Sequence, residues 1–166
     1  MRYLVLSDTH NNITAARDLI EQLHDRIDGV LHMGDMVTDF NKLKNMYQDR
    51  YGLAFAGVCG NCDLFSTEPD TRCFTVEGRR VLMFHGHQHG VKYGTRYLKE
   101  VAEENKANIV LFGHTHVPLM EEAEGILYLN PGSLSEPRGG SRAGFALLEI
   151  EKGKAAAVLY KYEDFC

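Results

Sequence analysis

Five short stretches of this 166-residue chain set aspartate, asparagine or histidine beside glycine or beside one another. They are Asp8-Thr9-His10, Gly34-Asp35, Gly60-Asn61-Cys62-Asp63, His85-Gly86-His87 and Gly113-His114-Thr115-His116. Imidazole, carboxylate and amide donors together suit Mn, Fe or Zn and match poorly the all-oxygen cages that Ca prefers. The candidate ligands are Asp8, His10, Asp35, Asn61, His85, His114 and His116, seven in all and more than a single tetrahedral ion takes. Two ions sharing a carboxylate would use them all. Ion pairs about 3.5–4 Å apart serve phosphate-ester hydrolysis by clamping the attacking and leaving oxygens. Taken singly each stretch says little, because a lone histidine is more often a satisfied polar residue than a ligand.

Cys59-Gly60-Asn61-Cys62 raises a rival chemistry, a C-x-x-C pair. A zinc ribbon needs a second such pair, and the chain has none. A redox dithiol would open a helix after its strand, whereas Gly60-Asn61 reads as a tight turn. Cys59 is expected to pack as a small apolar residue, Cys73 as a packed strand residue, and Cys166 as part of a frayed terminus.

The elements that must position these groups follow from periodicity. Residues 2–6, 29–33, 53–58 and 109–112 read as buried strands, and 72–76 with 79–84 as a hairpin around Glu77-Gly78. Helices are expected over 12–24 (capped by Asn11 or Asn12), 41–47 and 95–105. From Val117 onward the pattern is all strand: 117–121, 126–129, 144–150 and 155–160. Each of the five stretches leaves the carboxyl end of a strand, where open α/β folds bind ligands. A parallel half followed by an antiparallel half, with no linker, predicts one domain over 1–166. The expected fold class is α/β, a two-sheet mixed β-sandwich flanked by helices in four α/β/β/α layers.

Composition narrows the function classes. With 44% apolar and 25% charged residues the chain has the make-up of a globular domain, so disorder is not expected. A net charge of −5 weighs against a surface that coats a nucleic-acid backbone. No apolar run approaches the roughly 20 residues needed to span a bilayer. Met1–Asp8 has too short an apolar core for a signal peptide. A cytoplasmic protein with free thiols is the expectation.

In order and spacing, Asp8-x-His10, Gly34-Asp35, Gly60-Asn61, His85-Gly86 and Gly113-His114-x-His116 resemble the motif set of the calcineurin-like metallophosphoesterases, from Tyr3 to about Arg138. Gly60-Asn61-Cys62-Asp63 and Asn130-Pro131-Gly132-Ser133 are similar to the family's small bacterial phosphodiesterase branch. The resemblance implies two divalent ions, Mn2+ foremost, with Fe, Ni, Zn or Mg as substitutes. Asp8, His10 and His116 would hold one ion, Asn61, His85 and His114 the other, and Asp35 would bridge them. It also implies a metal-bridging hydroxide attacking phosphorus in line, a small phosphodiester as substrate, and self-association among relatives of this branch.

Many family members carry histidine after Gly-Asn. Here the residue is Cys62, whose thiol is a weak donor. A monoester's extra charge or a poor leaving group should suffer most from that exchange, so diester hydrolysis is expected to exceed monoester hydrolysis. The candidates for the chemical step are Asp35, Asn61, Cys62 and His87. For His87, contact with substrate and support of a ligand both stay open. His32 is read as a hydrogen-bonded core histidine, and His24 and His89 as surface residues. Asp39 and Asp63 are read as caps or loop residues. The 130–133 loop is expected to support the site, and Arg138 could meet a phosphate. The rival functions are a protein-interaction scaffold, as one retromer subunit on this fold suggests, and a phosphomonoesterase. A DNA nuclease is disfavoured by the acidic balance.

Overall fold

Successive residues of a strand face opposite ways, and the inner strands of this protein are apolar on both faces. The computed structural model, which describes residues 1–165, shows where each face goes. In chain order the elements are β1 (Arg2–Leu6), α1 (Thr14–Leu23), β2 (Gly29–His32), α2 (Val37–Tyr51), β3 (Ala54–Gly57), β4 (Thr71–Val76) and β5 (Arg79–Phe84). A 3-10 turn at Val91–Tyr93 leads into α3 (Arg96–Glu104). There follow β6 (Ile109–Leu111), β7 (Leu119–Ala123), β8 (Ile126–Asn130), β9 (Gly144–Glu151) and β10 (Lys154–Lys161). The strands form two five-stranded sheets, ordered β10-β9-β1-β2-β3 and β4-β5-β6-β8-β7.

Tyr3 and Val5 of β1 face inward and meet Val81, Met83, Ile109 and Leu129 of the second sheet, with Leu148 of β9 beside them. Leu4 and Leu6 face outward and are covered by Leu19, Ile20, Leu43 and Tyr47 of α1 and α2. On the far side, Leu82, Phe84 and Val110 are covered by Leu98 and Ala102 of α3. Three apolar clusters separate four layers, as the sandwich reading requires.

The division into a parallel half and an antiparallel half does not hold. Both sheets are mixed. β1, β2 and β3 run parallel, but β9 pairs antiparallel with β1 and brings β10 with it. In the second sheet β5, β6 and β8 run parallel between antiparallel edges β4 and β7. Alternation reveals a strand but not its partner. β9 is buried on both faces along most of its length and needs an inner position, whereas β10 alternates and suits an edge.

Two helix boundaries also shift. α1 begins at Thr14, with Asn12 Oδ1 accepting the Thr14 N–H (3.3 Å) and Ile13 in the cap position. α2 extends four residues past each end of the expected 41–47, because its start is capped from elsewhere in the chain and Gly52 ends it at φ 68°. Cys73 is exposed rather than packed, because it lies on the outward side of edge strand β4 while Phe74 and Val76 face the core. Cys166 lies outside the described residues. No helix among the described residues is long and apolar enough to cross a membrane.

Leu148 is fully buried between the sheets. Leu148→Ala should therefore lower unfolding free energy by about 2–5 kcal/mol. Urea denaturation checks this, and a loss below about 1 kcal/mol would mean the sheets repack around the gap.

Candidate metal centre

β1, β2, β3, β5 and β6 all release their chains at one end of the sandwich, and the five motif stretches meet there. Cross-sheet bonds fasten them together. His114 N–H donates to Asp8 Oδ2 (3.1 Å), and the His85 ring pairs with the Met33 carbonyl (2.8 Å). Within each sheet, Asp8 N–H donates to the Gly34 carbonyl (3.0 Å) and Gly113 N–H to the His85 carbonyl (2.9 Å).

Donor atoms of Asp8, His10, Asp35 and His116 all lie within 4.8 Å of one another. Asp8 and Asp35 are buried, and each spends one oxygen on backbone N–H groups and turns the other toward imidazole. Asp8 Oδ2 takes the Ser7 hydroxyl and the His114 amide, leaving Oδ1 buried with no hydrogen-bond partner. That oxygen faces His116 Nε2 (3.1 Å), His10 Nε2 (3.8 Å) and His85 Nε2 (3.9 Å). Asp35 Oδ1 takes the Cys62 amide (3.0 Å), while Oδ2 faces His85 Nε2 (3.4 Å) and His10 Nε2 (3.9 Å).

Backbone carbonyls set the tautomers. His85 Nδ1–H donates to Met33 O, and His116 Nδ1–H donates to Glu136 O (2.6 Å). Each ring's Nε2 lone pair is thereby aimed at the carboxylates, the arrangement that metal-ligating histidines adopt. Lone pair against carboxylate is repulsive unless a proton or a cation lies between them. Burial works against charge on His85 and His116, yet the adjacent Asp35 and Asp8 outweigh it and raise both rings above the usual imidazole value. Burial would raise the two carboxyls. The adjacent His116 and His85 imidazoles more than offset it, and both carboxyls fall below the usual carboxylate range. Orphaned Asp8 Oδ1 and His85 Nε2 show that the donor set fits a divalent cation.

The backbone is bent to suit this. Asp8, His10, Asp35, His114 and His116 have φ of 53°, 43°, 54°, 67° and 58°. Left-handed backbone costs about 1 kcal/mol or more at a non-glycine residue, although Asp, Asn and His tolerate it best. Gly60 and Gly113 supply the remaining room: a Cβ at Gly60 would overlap Asp35 Oδ1, and one at Gly113 would overlap the Ser7 hydroxyl.

The remaining predicted site residues are placed as follows. His114 is half-buried, its ring 5.1 Å from His85, and burial together with the charges of His85 and Lys92 pushes it down to about 4. Asn61 is exposed, its side-chain amide 3.5 Å from Cys62 Sγ. Cys62 is exposed and beside Asp35. His87 lies 6.2 Å from His114 ring to ring, with its Nδ1 buried and unpartnered. Burial pushes the Cys59 and Cys62 thiols up to about 11, which removes the thiolate that redox exchange requires. Cys59 is not simply packed, because its thiol donates to Asp70 Oδ1 (3.1 Å).

Further side chains brace the ligand loops, among them those of the 130–133 loop that was expected to support the site. Ser133 Oγ donates to the Asp8 carbonyl (2.7 Å), joined by Ser135 (3.1 Å), so the Asn130-Pro131-Gly132-Ser133 loop holds Asp8 in its bent conformation. Asn130 Nδ2 ties the same loop to Gly113 O (2.9 Å). His32 is a buried core histidine, as expected. Gly34 N–H donates to its Nδ1 (3.2 Å), its Nε2 faces Thr9 Oγ1 (3.3 Å), and Thr9 donates to Asp39 Oδ2 (2.9 Å). Asp39 also accepts the Asn11 amide (2.8 Å), so this buried chain joins the first two ligand loops. His89 is not a surface residue, since its ring stacks 4.1 Å from Phe84. His24 likewise stacks on Tyr51 at 4.0 Å.

Residues 1–153 match the calcineurin-like phosphoesterase superfamily domain, and the chain belongs to that family. A probable metallophosphoesterase of Bacillus subtilis (strain 168), YsnB, is 30% identical over 160 residues, spanning 96% of this chain and 90% of its own. The Escherichia coli (strain K12) phosphodiesterase YfcE is 30% identical over 100 residues, 55% of this chain and 50% of its own. Among solved structures, a predicted phosphoesterase from Streptococcus pneumoniae TIGR4 superposes with TM-score 0.79 at 25% identity, covering 98% of this chain and 90% of that one. Zn-bound Vps29 from Entamoeba histolytica shares the fold, with TM-score 0.75 at 23% identity and 98% and 99% coverage.

Asp63 is the cap that sequence reading placed only as a cap or loop residue. Its Oδ1 accepts Met36 N–H (3.0 Å) and Val37 N–H (2.7 Å) at the start of α2, and Oδ2 accepts Gly60 N–H (2.8 Å). One side chain thus joins the Asp35 segment to the Asn61 segment. Asp63→Ala should cost about 1–3 kcal/mol in urea unfolding. An unchanged midpoint would show that water replaces the carboxylate at these amides.

Proposed function

We propose that this protein is a binuclear metal-dependent phosphodiesterase acting on small phosphodiesters. The observation that carries the reading is the buried Asp8, His10, Asp35, His116 cluster, with His85 reaching the same two carboxylates from its other side. Asp8, His10 and His116 would hold one ion, and His85, His114 and Asn61 the second. Asp35, whose Oδ2 faces both His10 and His85, would serve both. Divalent ions there supply charge neutralisation for phosphoryl oxygens and lower the pKa of water, the two largest contributions to phosphate-ester hydrolysis. Mn2+ suits this mixed donor set, and Fe, Ni, Zn and Mg are the substitutes to compare.

The chain's own part is placement. Met33 and Glu136 carbonyls hold the two imidazoles with Nε2 forward, and the Cys62 amide holds Asp35. His87, half-buried and 6.2 Å from His114 ring to ring, would either meet a substrate oxygen or support that ligand. Cys62 stands where many relatives have histidine, and a thiol offers a leaving group little acid assistance. Diesters carry one charge fewer than monoesters and depend less on that assistance. The phosphodiesterase name of the E. coli relative agrees with this substrate class.

The second reading is a binding scaffold, favoured by the fold likeness to Vps29. Asp35→Ala separates the two. For an enzyme, cleavage of bis-p-nitrophenyl phosphate should fall by more than about a hundredfold, with Mn2+ affinity by calorimetry falling alongside. Retained activity with unchanged metal binding would remove Asp35 from the site, and wild-type protein inert with every metal would favour the scaffold.

Substrate choice is tested at Cys62. The wild-type enzyme with Mn2+ should cleave bis-p-nitrophenyl phosphate faster than p-nitrophenyl phosphate. Cys62→His should raise the monoester rate relative to the diester rate by roughly tenfold to a hundredfold. A fixed ratio would show that residue 62 does not choose the substrate.

A further inference from the structure

Glu136 is the one residue of the 133–138 loop whose carboxylate comes to the mouth of the cluster. Its Oε2 lies 4.0 Å from His10 Nε2, and its side chain is about half exposed, at 53%. It falls outside the group of donors that lie within 4.8 Å of one another, so it borders the centre without belonging to it. The backbone that carries it is tightly held. Glu136 N–H donates to Ser133 Oγ (2.9 Å), Glu136 O accepts His116 Nδ1–H (2.6 Å), and Arg138 N–H donates to His116 O (3.1 Å). Ser133 in turn holds the Asp8 carbonyl. The loop that steadies two candidate ligands therefore also fixes where this carboxylate starts from.

Charges of both signs border the mouth, and the Asp70 carboxylate is near enough to act on His87. The Arg138 guanidinium is near enough to depress proton binding at His116, and the Lys92 ammonium does the same at His114. Glu136 is the carboxylate on the His10 side of the mouth. A phosphodiester brings one negative charge to the centre. A phosphomonoester, or inorganic phosphate, brings between about 1.5 and 2 near pH 7. The penalty from a fixed carboxylate grows with that charge, and a half-exposed position weakens it without abolishing it.

We propose that Glu136 is a specificity-determining residue that disfavours dianionic phosphate groups, monoesters and orthophosphate alike, and so favours monoanionic diesters. This rests on the phosphodiesterase reading of the same site and adds to it a second source of discrimination, independent of Cys62. It also implies easier release of a monoester product, which carries the charge that Glu136 opposes.

The test uses Mn2+-loaded wild type, Glu136→Gln, which keeps the shape without the charge, and Glu136→Asp, which keeps the charge. Calorimetry with orthophosphate should show about fivefold to tenfold tighter binding by E136Q than by wild type, with E136D within about twofold of wild type. High salt should narrow the gap. The kcat/KM ratio of bis-p-nitrophenyl phosphate to p-nitrophenyl phosphate should fall by a similar factor in E136Q, with the diester value little changed. Mn2+ affinity should be equal in wild type and E136Q. Equal orthophosphate affinities in wild type and E136Q overturn the proposal, whatever the hydrolysis assay shows. Weaker Mn2+ binding by E136Q also overturns it, since Glu136 would then be a ligand. Failure of the phosphodiesterase reading shows separately, as a wild-type preference for the monoester.

Discussion

The structure is organised around two buried carboxylates, Asp8 and Asp35, whose free oxygens share one small volume with the lone pairs of three imidazoles. Polar atoms buried without partners are costly, and like-signed lone pairs brought together add repulsion. Such a cluster persists only where the surrounding chain fixes it from several sides and a cation or protons can occupy it. The Asp8 Oδ1 and His85 Nε2 atoms, buried and without hydrogen-bond partners, mark this most directly. Both lie on the side where the carboxylates and imidazoles face one another.

The supports are of three kinds. The sandwich brings five strand ends to one edge, which sets coarse position. Hydrogen bonds to backbone then set the finer geometry: the Ser133 hydroxyl on the Asp8 carbonyl, the Cys62 amide on Asp35, and the Met33 and Glu136 carbonyls on the histidines. Side chains outside the cluster finally tie loop to loop, through His32, Thr9 and Asp39 on one side and Asp63 on the other. Left-handed backbone at five candidate ligands is tolerated because these bonds over-determine it. The result is a centre prepared before any substrate arrives, the condition under which fixed charges contribute most to a transition state.

Membership of the calcineurin-like phosphoesterase superfamily explains the shared framework, but the fold also serves Vps29, so fold alone does not select an activity. The site does. The chain carries all seven candidate donors, and four of them stand together. The roles proposed for Cys62 and Glu136 bear on the charge of the phosphate group rather than on ion binding. On that proposal, substrate choice is an electrostatic matter decided at the edge of the centre.

The sequence by itself determined the strands, the four layers and the candidate donors, because alternation, glycine punctuation and short motifs at strand ends are local signals. Leu4 and Leu6 opposite Tyr3 and Val5 already declare a strand buried on both faces. Local signals could not say that β9 would pair with β1, since a period-two pattern names no partner. They could not give α2 its true start, because its cap, Asp63, comes from 26 residues beyond Val37. Nor could they show which imidazole nitrogen faces the carboxylates, or that Glu136 would stand beside His10. Those facts depend on contacts between segments distant in the chain, 26 residues at the Asp63 cap and 106 between His116 and His10, and they exist only once the chain has folded.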